Sequence, residues 1–201
     1  LSERELGLSD DHEGIIELKK NFPNGTDAVT ALNLNDPIFE IGLTPNRGDC
    51  LGIRGIARDL AAKGIGKLKP LNFNKIKTLN FDNPINWAIE KDGNSCEYVV
   101  SRYFKDVENT TSPEWLQKKL TSIGLRPINA LVDITNFITM DIGRPLHVFD
   151  EDKIGNKLLM RVSKDSETIY ALDNKDYKLS NTVTVIADDK TPLAIAGIIG
   201  G

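Results

Sequence analysis

The spacing of hydrophobic residues along the chain predicts three helices. Apolar residues recur at helical spacing in the stretches 49–63, 112–124 and 129–142. Asp49 and Ser112 are residue types that cap helix N-termini, and Pro113 suits the first position of a helix. A glycine stands where each predicted helix ends, at position 64, 124 or 143, and glycine readily takes the left-handed conformation that terminates helices.

Alternating or β-branched runs predict strands at 14–18, 38–41, 98–104, 158–162, 168–172 and 182–187. Polar residues at 173–176 predict a turn, and 192–196 can return as the hairpin partner of 182–187. Residues 64–94 are rich in proline, asparagine and lysine, which predicts a connector with one short helix at 85–90. The sum is an α+β fold, with helices packed on a mixed or antiparallel sheet and a small α/β piece before it.

Composition changes this picture little, because it is that of an ordinary globular protein. The 201 residues are 40% hydrophobic and 27% charged, with a net charge of −4. No global positive field attracts nucleic acid, so any RNA contact is either local or gains its affinity from other parts of the protein. No apolar run is long enough to span a membrane, and the two cysteines suit a reducing cytoplasm. Because Leu1 is not an initiating methionine, we expect the chain to be a piece of a longer protein.

The best candidate for chemistry is a polar set made of Thr135, Asn136 and His147. Thr135 and Asn136 lie beside the apolar stripe of the third predicted helix, and His147 follows a Gly-Arg-Pro break at 143–145. The break can turn the chain so that His147 returns toward this helix. Such a set could position a water molecule or a ribose hydroxyl. Alternatively, Thr135 and Asn136 bond local backbone and His147 packs at a sheet edge.

Other polar segments have a structural interpretation that the pattern favours. Gly200-Gly201 could let a ligand approach the backbone, but the segment lacks the Lys and Ser/Thr of a phosphate loop and also suits a tight turn. The turn at 44–50 could bind an anion, although Asp49 would compete with it. Asp188-Asp189 could hold a metal or lie in an ordinary loop. The lysines of the connector favour a solvated linker over an RNA patch; they are Lys63, Lys67, Lys69, Lys75 and Lys77.

Four ordered motifs together resemble the beta subunit of bacterial phenylalanyl-tRNA synthetases. They are LTPNRGDCL at 43–51 with GIAR at 55–58, VDITNF at 132–137, GRPLHVFD at 143–150, and the segment 186–201. The resemblance implies that 1–75 ends the first domain of that subunit and that 76–94 is a connector. It also implies that 95–201 is the first half of an editing domain.

The resemblance further implies a function and a set of site residues. The family's alpha2-beta2 heterotetramer joins phenylalanine to tRNA(Phe) with ATP and Mg²⁺, in a site held by the alpha subunit. Its beta subunit hydrolyses Tyr-tRNA(Phe), an error that arises because an apolar pocket rejects an added hydroxyl only weakly. On the matched positions, His147 and Asn136 would position water or ribose. Thr135, Gly200 and Gly201 would contact the substrate, with no metal or cofactor in this segment.

In the same family a glutamate beyond Gly201 binds the tyrosine hydroxyl, so this chain alone is expected not to edit. The alternative is a non-catalytic module of the same fold that binds RNA or a partner, or a scaffold between subunits. In either case the expected partners are the alpha subunit and tRNA(Phe) in the cytoplasm, with no membrane and no DNA.

Overall fold

A computed structural model describes residues 1–201 except 10, 19, 33, 75 and 95. The helices of the described part are α1 (Ala28–Ala31), α2 (Ile53–Ala62), α3 (Glu114–Ser122) and α4 (Ala130–Ile142). The strands are β1 (Asn86–Ile89), β2 (Lys157–Val162), β3 (Thr168–Tyr170), β4 (Asp176–Lys178), β5 (Thr184–Ala187), β6 (Pro192–Ile195) and β7 (Ile199–Gly200). The predicted α+β class is confirmed.

The main sheet has five strands in the order β1-β2-β5-β6-β7. β1 runs parallel to β2, and the other neighbours are antiparallel, so the sheet is mixed. β3 and β4 form a separate hairpin around the predicted turn. The expected hairpin between 182–187 and 192–196 is confirmed as β5 and β6, with a register shift at Ile186/Ala187.

The main sheet buries apolar side chains on both of its faces, because successive strand residues point to opposite sides. One cluster consists of Ile85, Leu158, Met160, Ile186 and Ala194, and Phe149 packs against it. The other consists of Ile169, Leu179, Val185, Ala187 and Ile195, so it includes residues of the β3–β4 region. The short hairpin therefore supplies part of the cover for one face of the main sheet.

Two predicted helix caps are wrong, because both side chains have other partners. Gly52 is the N-cap of α2, and Asp49 lies earlier in a 3-10 turn, where it forms ion pairs with Arg47 and Arg58. Pro113 is the N-cap of α3, while the Ser112 hydroxyl donates to the buried carboxylate of Asp133. The glycine terminations are confirmed, since Gly64, Gly124 and Gly143 all have left-handed backbone.

The secondary structure of four segments was predicted wrongly. Three predicted strands have no neighbouring strand to pair with, and one predicted helix is a strand because it has such a neighbour. The runs 14–18, 38–41 and 98–104 form no strand with the described residues. In the last of them Tyr98 and Val100 are each 79% exposed, as expected for a segment that packs against no sheet. A strand gains most from pairing, so alternating sequence without a neighbour stays irregular. Residues 85–90, predicted as a helix, contain β1 instead, because that segment pairs with β2.

None of the described helices contacts a strand, unlike the predicted packing on the sheet. α4 contacts both α2 and α3. At the α2 contact, Gly52 lies against the backbone of Ile142 and Gly143, where a larger residue has no room. At the α3 contact, the rings of Trp115 and Phe137 meet edge to face with centroids 5.6 Å apart. None of the described helices is long and apolar enough to cross a bilayer.

Candidate functional site

His147 is brought to the turn between β6 and β7 by the loop that follows α4. The left-handed Gly143 ends the helix, and residues 144–150, which form no helix or strand, then lead to the main sheet. The Nε2 atom of His147 accepts a hydrogen bond from the backbone N–H of Gly197, across 2.9 Å. The His147 ring also stacks on Phe149, with an interplanar angle of 15°. The hydrogen-bond partner of His147 is therefore a backbone N–H in the turn that leads into β7, the strand that contains Gly200.

The environment of His147 favours a neutral imidazole. Burial lowers the pKa of its ring from the ordinary value, because the protonated form loses hydration. Protonation at Nε2 would also place an N–H opposite the N–H of Gly197. The contact with the turn therefore exists only while this nitrogen keeps its lone pair.

This contact predicts a pH dependence of folding stability. The folded-state pKa of His147 is lowered, so the unfolded chain binds more protons between that value and about 6.5. The stabilisation is present above about pH 6.5 and is lost as the pH falls through the folded-state pKa. Urea unfolding of the wild type and His147→Gln at about pH 8 and pH 5.5 should show the larger loss in the wild type. Equal losses would show that His147 does not contribute.

Thr135 and Asn136 lie on α4, and the two differ in how their side chains are used. The hydroxyl of Thr135 donates to the carbonyl of Val132 at 2.7 Å, a bond within its own helix. The half-buried amide of Asn136 has no hydrogen-bond partner among the described residues. Within that part of the chain, no hydrogen bond joins either residue to His147. Of the two, Asn136 is thus the residue whose side-chain polar atoms are not used by the described part of the chain.

Gly200 and Gly201 lie where the β3–β4 hairpin crosses the edge of the main sheet. The carbonyl of Gly200 accepts from the N–H of Leu172, and the N–H of Gly201 donates to the carbonyl of Leu193, both across 2.9 Å. A Cβ on Gly201 would lie 2.6 Å from Ile169 Cγ1. Close packing of the hairpin therefore accounts for the absence of a side chain at this position, and the N–H of Gly201 is already occupied.

Asp133 is the buried residue that sequence reasoning missed in the candidate site. It is fully buried on α4, two and three positions before Thr135 and Asn136. One carboxylate oxygen accepts from the Ser112 hydroxyl, and the other accepts from the N–H of Ile128 at 2.9 Å. It fixes the start of α4 against the segments before and after α3. An aspartate within an apolar helix is the sequence signal that could have revealed it.

The Asp188-Asp189 pair lies in the turn between β5 and β6, where Asp188 accepts hydrogen bonds from the backbone. Asp188 is buried, and its Oδ1 accepts from the N–H groups of Lys190 and Thr191, both across 2.8 Å. Desolvation raises the pKa of Asp188, but hydrogen bonds from backbone N–H groups outweigh it and leave the pKa lowered. The structural interpretation of this pair therefore accounts for Asp188.

A second acidic group lies outside the candidate site, in the motif at 44–50. Ligand atoms of Asp49, Cys50 and Asp59 lie within 4.8 Å of one another. Both carboxylates are already paired, however, since Arg47 bonds Asp59 at 2.6 Å and Asp49 at 3.0 Å, and Arg58 also pairs with Asp49. The group is therefore an ion-pair network that holds the turn against α2. Of the connector lysines, Lys63, Lys67, Lys69 and Lys77 are exposed, and Lys75 lies outside the described residues.

Comparison with known protein families identifies the class of domain in this chain. The B3/4 domain family matches residues 95–201, which is more than half of the chain. The chain belongs to the B3/4 domain family.

The particular relatives are phenylalanine--tRNA ligase beta subunits, so the resemblance drawn from the motifs is confirmed. The chain is 53% identical to that of Brucella abortus strain 2308 over 202 aligned residues. It is 51% identical to that of Rhodopseudomonas palustris over 200, and 48% identical to that of Cereibacter sphaeroides over 202. Each alignment covers 100% of this chain, which spans about a quarter of the length of these curated relatives.

Proposed function

We propose that this chain is part of the beta subunit of a phenylalanine--tRNA ligase and contributes to the hydrolysis of Tyr-tRNA(Phe). The observation that carries the proposal is similarity along the whole chain, at 53% identity, to a protein of that name. In this proposal, 1–75 ends the first domain of the subunit, 76–94 is a connector, and 95–201 begins the editing domain. ATP and Mg²⁺ act in the complete enzyme, a cytoplasmic alpha2-beta2 heterotetramer, and no residue of this chain is assigned to hold them.

The proposed site is formed by His147, Asn136, Thr135, Gly200 and Gly201. The amide of Asn136 has no hydrogen-bond partner among the described residues, which supports a role in holding a water or a ribose hydroxyl, since an amide both donates and accepts. Thr135 contributes its methyl group to the pocket wall, because its hydroxyl is bonded within α4. Gly200 and Gly201 border the substrate through backbone atoms other than the N–H of Gly201, which Leu193 already uses.

Hydrolysis at this site uses positioning rather than a nucleophilic side chain. A water held in line with the ester carbon gains its advantage from proximity and orientation. Selection for tyrosine requires a group that hydrogen-bonds its hydroxyl, which a purely apolar pocket cannot supply. In this proposal that group comes from a part of the subunit outside these 201 residues.

A deacylation assay with the complete enzyme tests the proposal. The full-length beta subunit with its alpha partner should hydrolyse Tyr-tRNA(Phe) and spare Phe-tRNA(Phe). Asn136→Ala and His147→Ala should each slow the hydrolysis by about tenfold or more, because each removes a positioned hydrogen bond. The rate of tyrosine release from labelled tRNA measures both effects.

The other histidine of the chain supplies the matched control. His12 is exposed, so His12→Ala should hydrolyse Tyr-tRNA(Phe) at the wild-type rate. Normal hydrolysis by both Asn136→Ala and His147→Ala would contradict the site assignment. Absence of hydrolysis in the wild-type enzyme would instead favour the non-catalytic alternative, a module that binds RNA or a partner.

A further inference from the structure

The hydrogen bond accepted by His147 determines which of its ring nitrogens carries the proton. The N–H of Gly197 donates to Nε2 of His147 at 2.9 Å. A neutral imidazole has one nitrogen with a lone pair and one with a hydrogen, so an accepting Nε2 requires the hydrogen at Nδ1. Burial, which lowers the pKa of this ring, favours the neutral form that the contact needs.

The ring is held in this orientation from a second direction. Phe149 stacks on it with ring centroids 6.2 Å apart, and Phe149 itself packs against the core cluster that contains Leu158 and Met160. An aromatic side chain packed against the core thus restrains one face of the imidazole, while the turn restrains its Nε2 edge. The Nδ1 atom has no hydrogen-bond partner among the described residues, and the side chain is only half-buried.

We propose that His147 works as a clamp and hydrogen-bond donor, with Nε2 holding the β6–β7 turn and Nδ1–H facing an oxygen of the ligand. The only lone pair of the ring is engaged by Gly197, so the ring takes no proton from the attacking water. The acceptor is an oxygen of the aminoacyl-ribose ester, and this identity rests on the proposed function. The tautomer itself rests on the contact with Gly197 alone.

The clamp also positions β7, the strand that contains Gly200. The turn at 196–198 joins β6 to β7, and Ile195 pairs with Ile199 while Ala194 pairs with Gly200. Gly197 has a φ of 71°, a left-handed conformation that other residues rarely adopt. A hydrogen bond at this residue therefore restricts the turn, and with it the location of Gly200.

Two substitutions at His147 distinguish a clamp from a general base in the complete enzyme. The amide oxygen of glutamine can reach the place of Nε2 and accept from Gly197, but glutamine is not basic. We expect His147→Gln to hydrolyse Tyr-tRNA(Phe) within about fivefold of the wild-type rate, the effect of about one neutral hydrogen bond. Asparagine is shorter and reaches only the place of Nδ1, so His147→Asn should lose the clamp and be slower than His147→Gln.

A different pattern of rates would overturn the inference. General-base catalysis contributes about 10²–10⁴-fold, so a loss of about a hundredfold or more in His147→Gln would identify His147 as a base. A His147→Asn enzyme faster than His147→Gln would show that the contact at Nε2 is not what matters.

Long-range ¹H–¹⁵N correlation spectra of this chain read the tautomer without any turnover, with His12 as the internal reference. We expect the hydrogen of His147 at Nδ1, and a Gly197 amide signal that moves in His147→Ala but not in His12→Ala. A ring hydrogen at Nε2 of His147, or a Gly197 amide signal that does not move in His147→Ala, would overturn the inference. If the complete enzyme fails to hydrolyse Tyr-tRNA(Phe), the proposed function fails and the tautomer still decides this inference.

Discussion

Glu167→Ala is expected to lower the free energy of unfolding by about 3–5 kcal/mol, because it leaves a buried guanidinium without its counter-ion. The side chain of Arg161 is 6% exposed and that of Glu167 is 13% exposed. Two parallel bonds join them, from Nη1 to Oε2 at 2.8 Å and from Nη2 to Oε1 at 2.7 Å. The hydrogen bonds from Arg161 lower the pKa of the Glu167 carboxyl, which keeps it ionised. Urea unfolding at neutral pH measures the loss.

Two further variants show whether the lost charge or the lost packing is responsible. Glu167→Gln keeps the shape and can still accept from Arg161, so it should lose less than Glu167→Ala. The double variant Arg161→Met with Glu167→Leu removes both charges and should recover most of the stability, as replaced buried ion pairs often do. A Glu167→Ala protein within about 1 kcal/mol of wild type would show that water reaches Arg161 and that the pair is not effectively buried.

Gly52→Ala is expected to be strongly destabilising, by about 3 kcal/mol or more, because the added methyl would enter space held by backbone. Its Cβ would overlap the Gly143 nitrogen and would lie 2.8 Å from Gly143 Cα and 2.9 Å from the Ile142 carbonyl carbon. Gly52 has extended dihedral angles, with φ −142° and ψ 160°, so alanine carries no backbone penalty there. The effect therefore reports steric overlap between α2 and α4.

Gly48→Ala is the matched control for this prediction. A Cβ at Gly48 would meet no atom within 4 Å, and the residue lies only four positions before Gly52. Its free energy of unfolding should change by no more than about 0.5 kcal/mol. Equal effects of the two substitutions would contradict the backbone contact between the N-cap of α2 and the end of α4.

The parts of the fold that sequence predicted are those specified by local signals. α4 was predicted because apolar residues recur at helical spacing over 129–142 and because a glycine ends it. In the structure Asn129 also caps it, with Oδ1 accepting from the N–H of Val132 at 3.0 Å. The β5–β6 hairpin was predicted because the two strands are separated by a short polar loop. Each of these signals lies within a few residues of the structure that it specifies, and so a single sequence is enough to identify it.

The parts that sequence did not predict depend on contacts between distant residues. Residues 85–90 fit a short helix until β2 is available as a parallel neighbour, which the intervening chain does not indicate. The segment 98–104 has the composition of a strand, but composition cannot supply a partner. Strand pairing depends on tertiary context more than helix formation does, and these two segments illustrate it.

The candidate site shows the same division. Its residue types were identified from motifs, whereas the partner of His147 was not, because Gly197 lies 50 positions further along the chain. The expected return of His147 toward α4 was inferred from the break after that helix. The contact that the structure shows is with the β6–β7 turn, and it assigns the ring a clamp that no local pattern indicates.

Accumulation of mischarged tRNA during aminoacylation tests the central claim most directly. The complete enzyme would be supplied with tRNA(Phe), ATP, Mg²⁺ and excess tyrosine in place of phenylalanine, and the steady level of Tyr-tRNA(Phe) measured. The wild type should leave almost none, and an enzyme with Asn136→Ala and His147→Ala together should accumulate it while charging phenylalanine normally. Equal levels of Tyr-tRNA(Phe) in the two enzymes would contradict the claim that this domain carries the editing site.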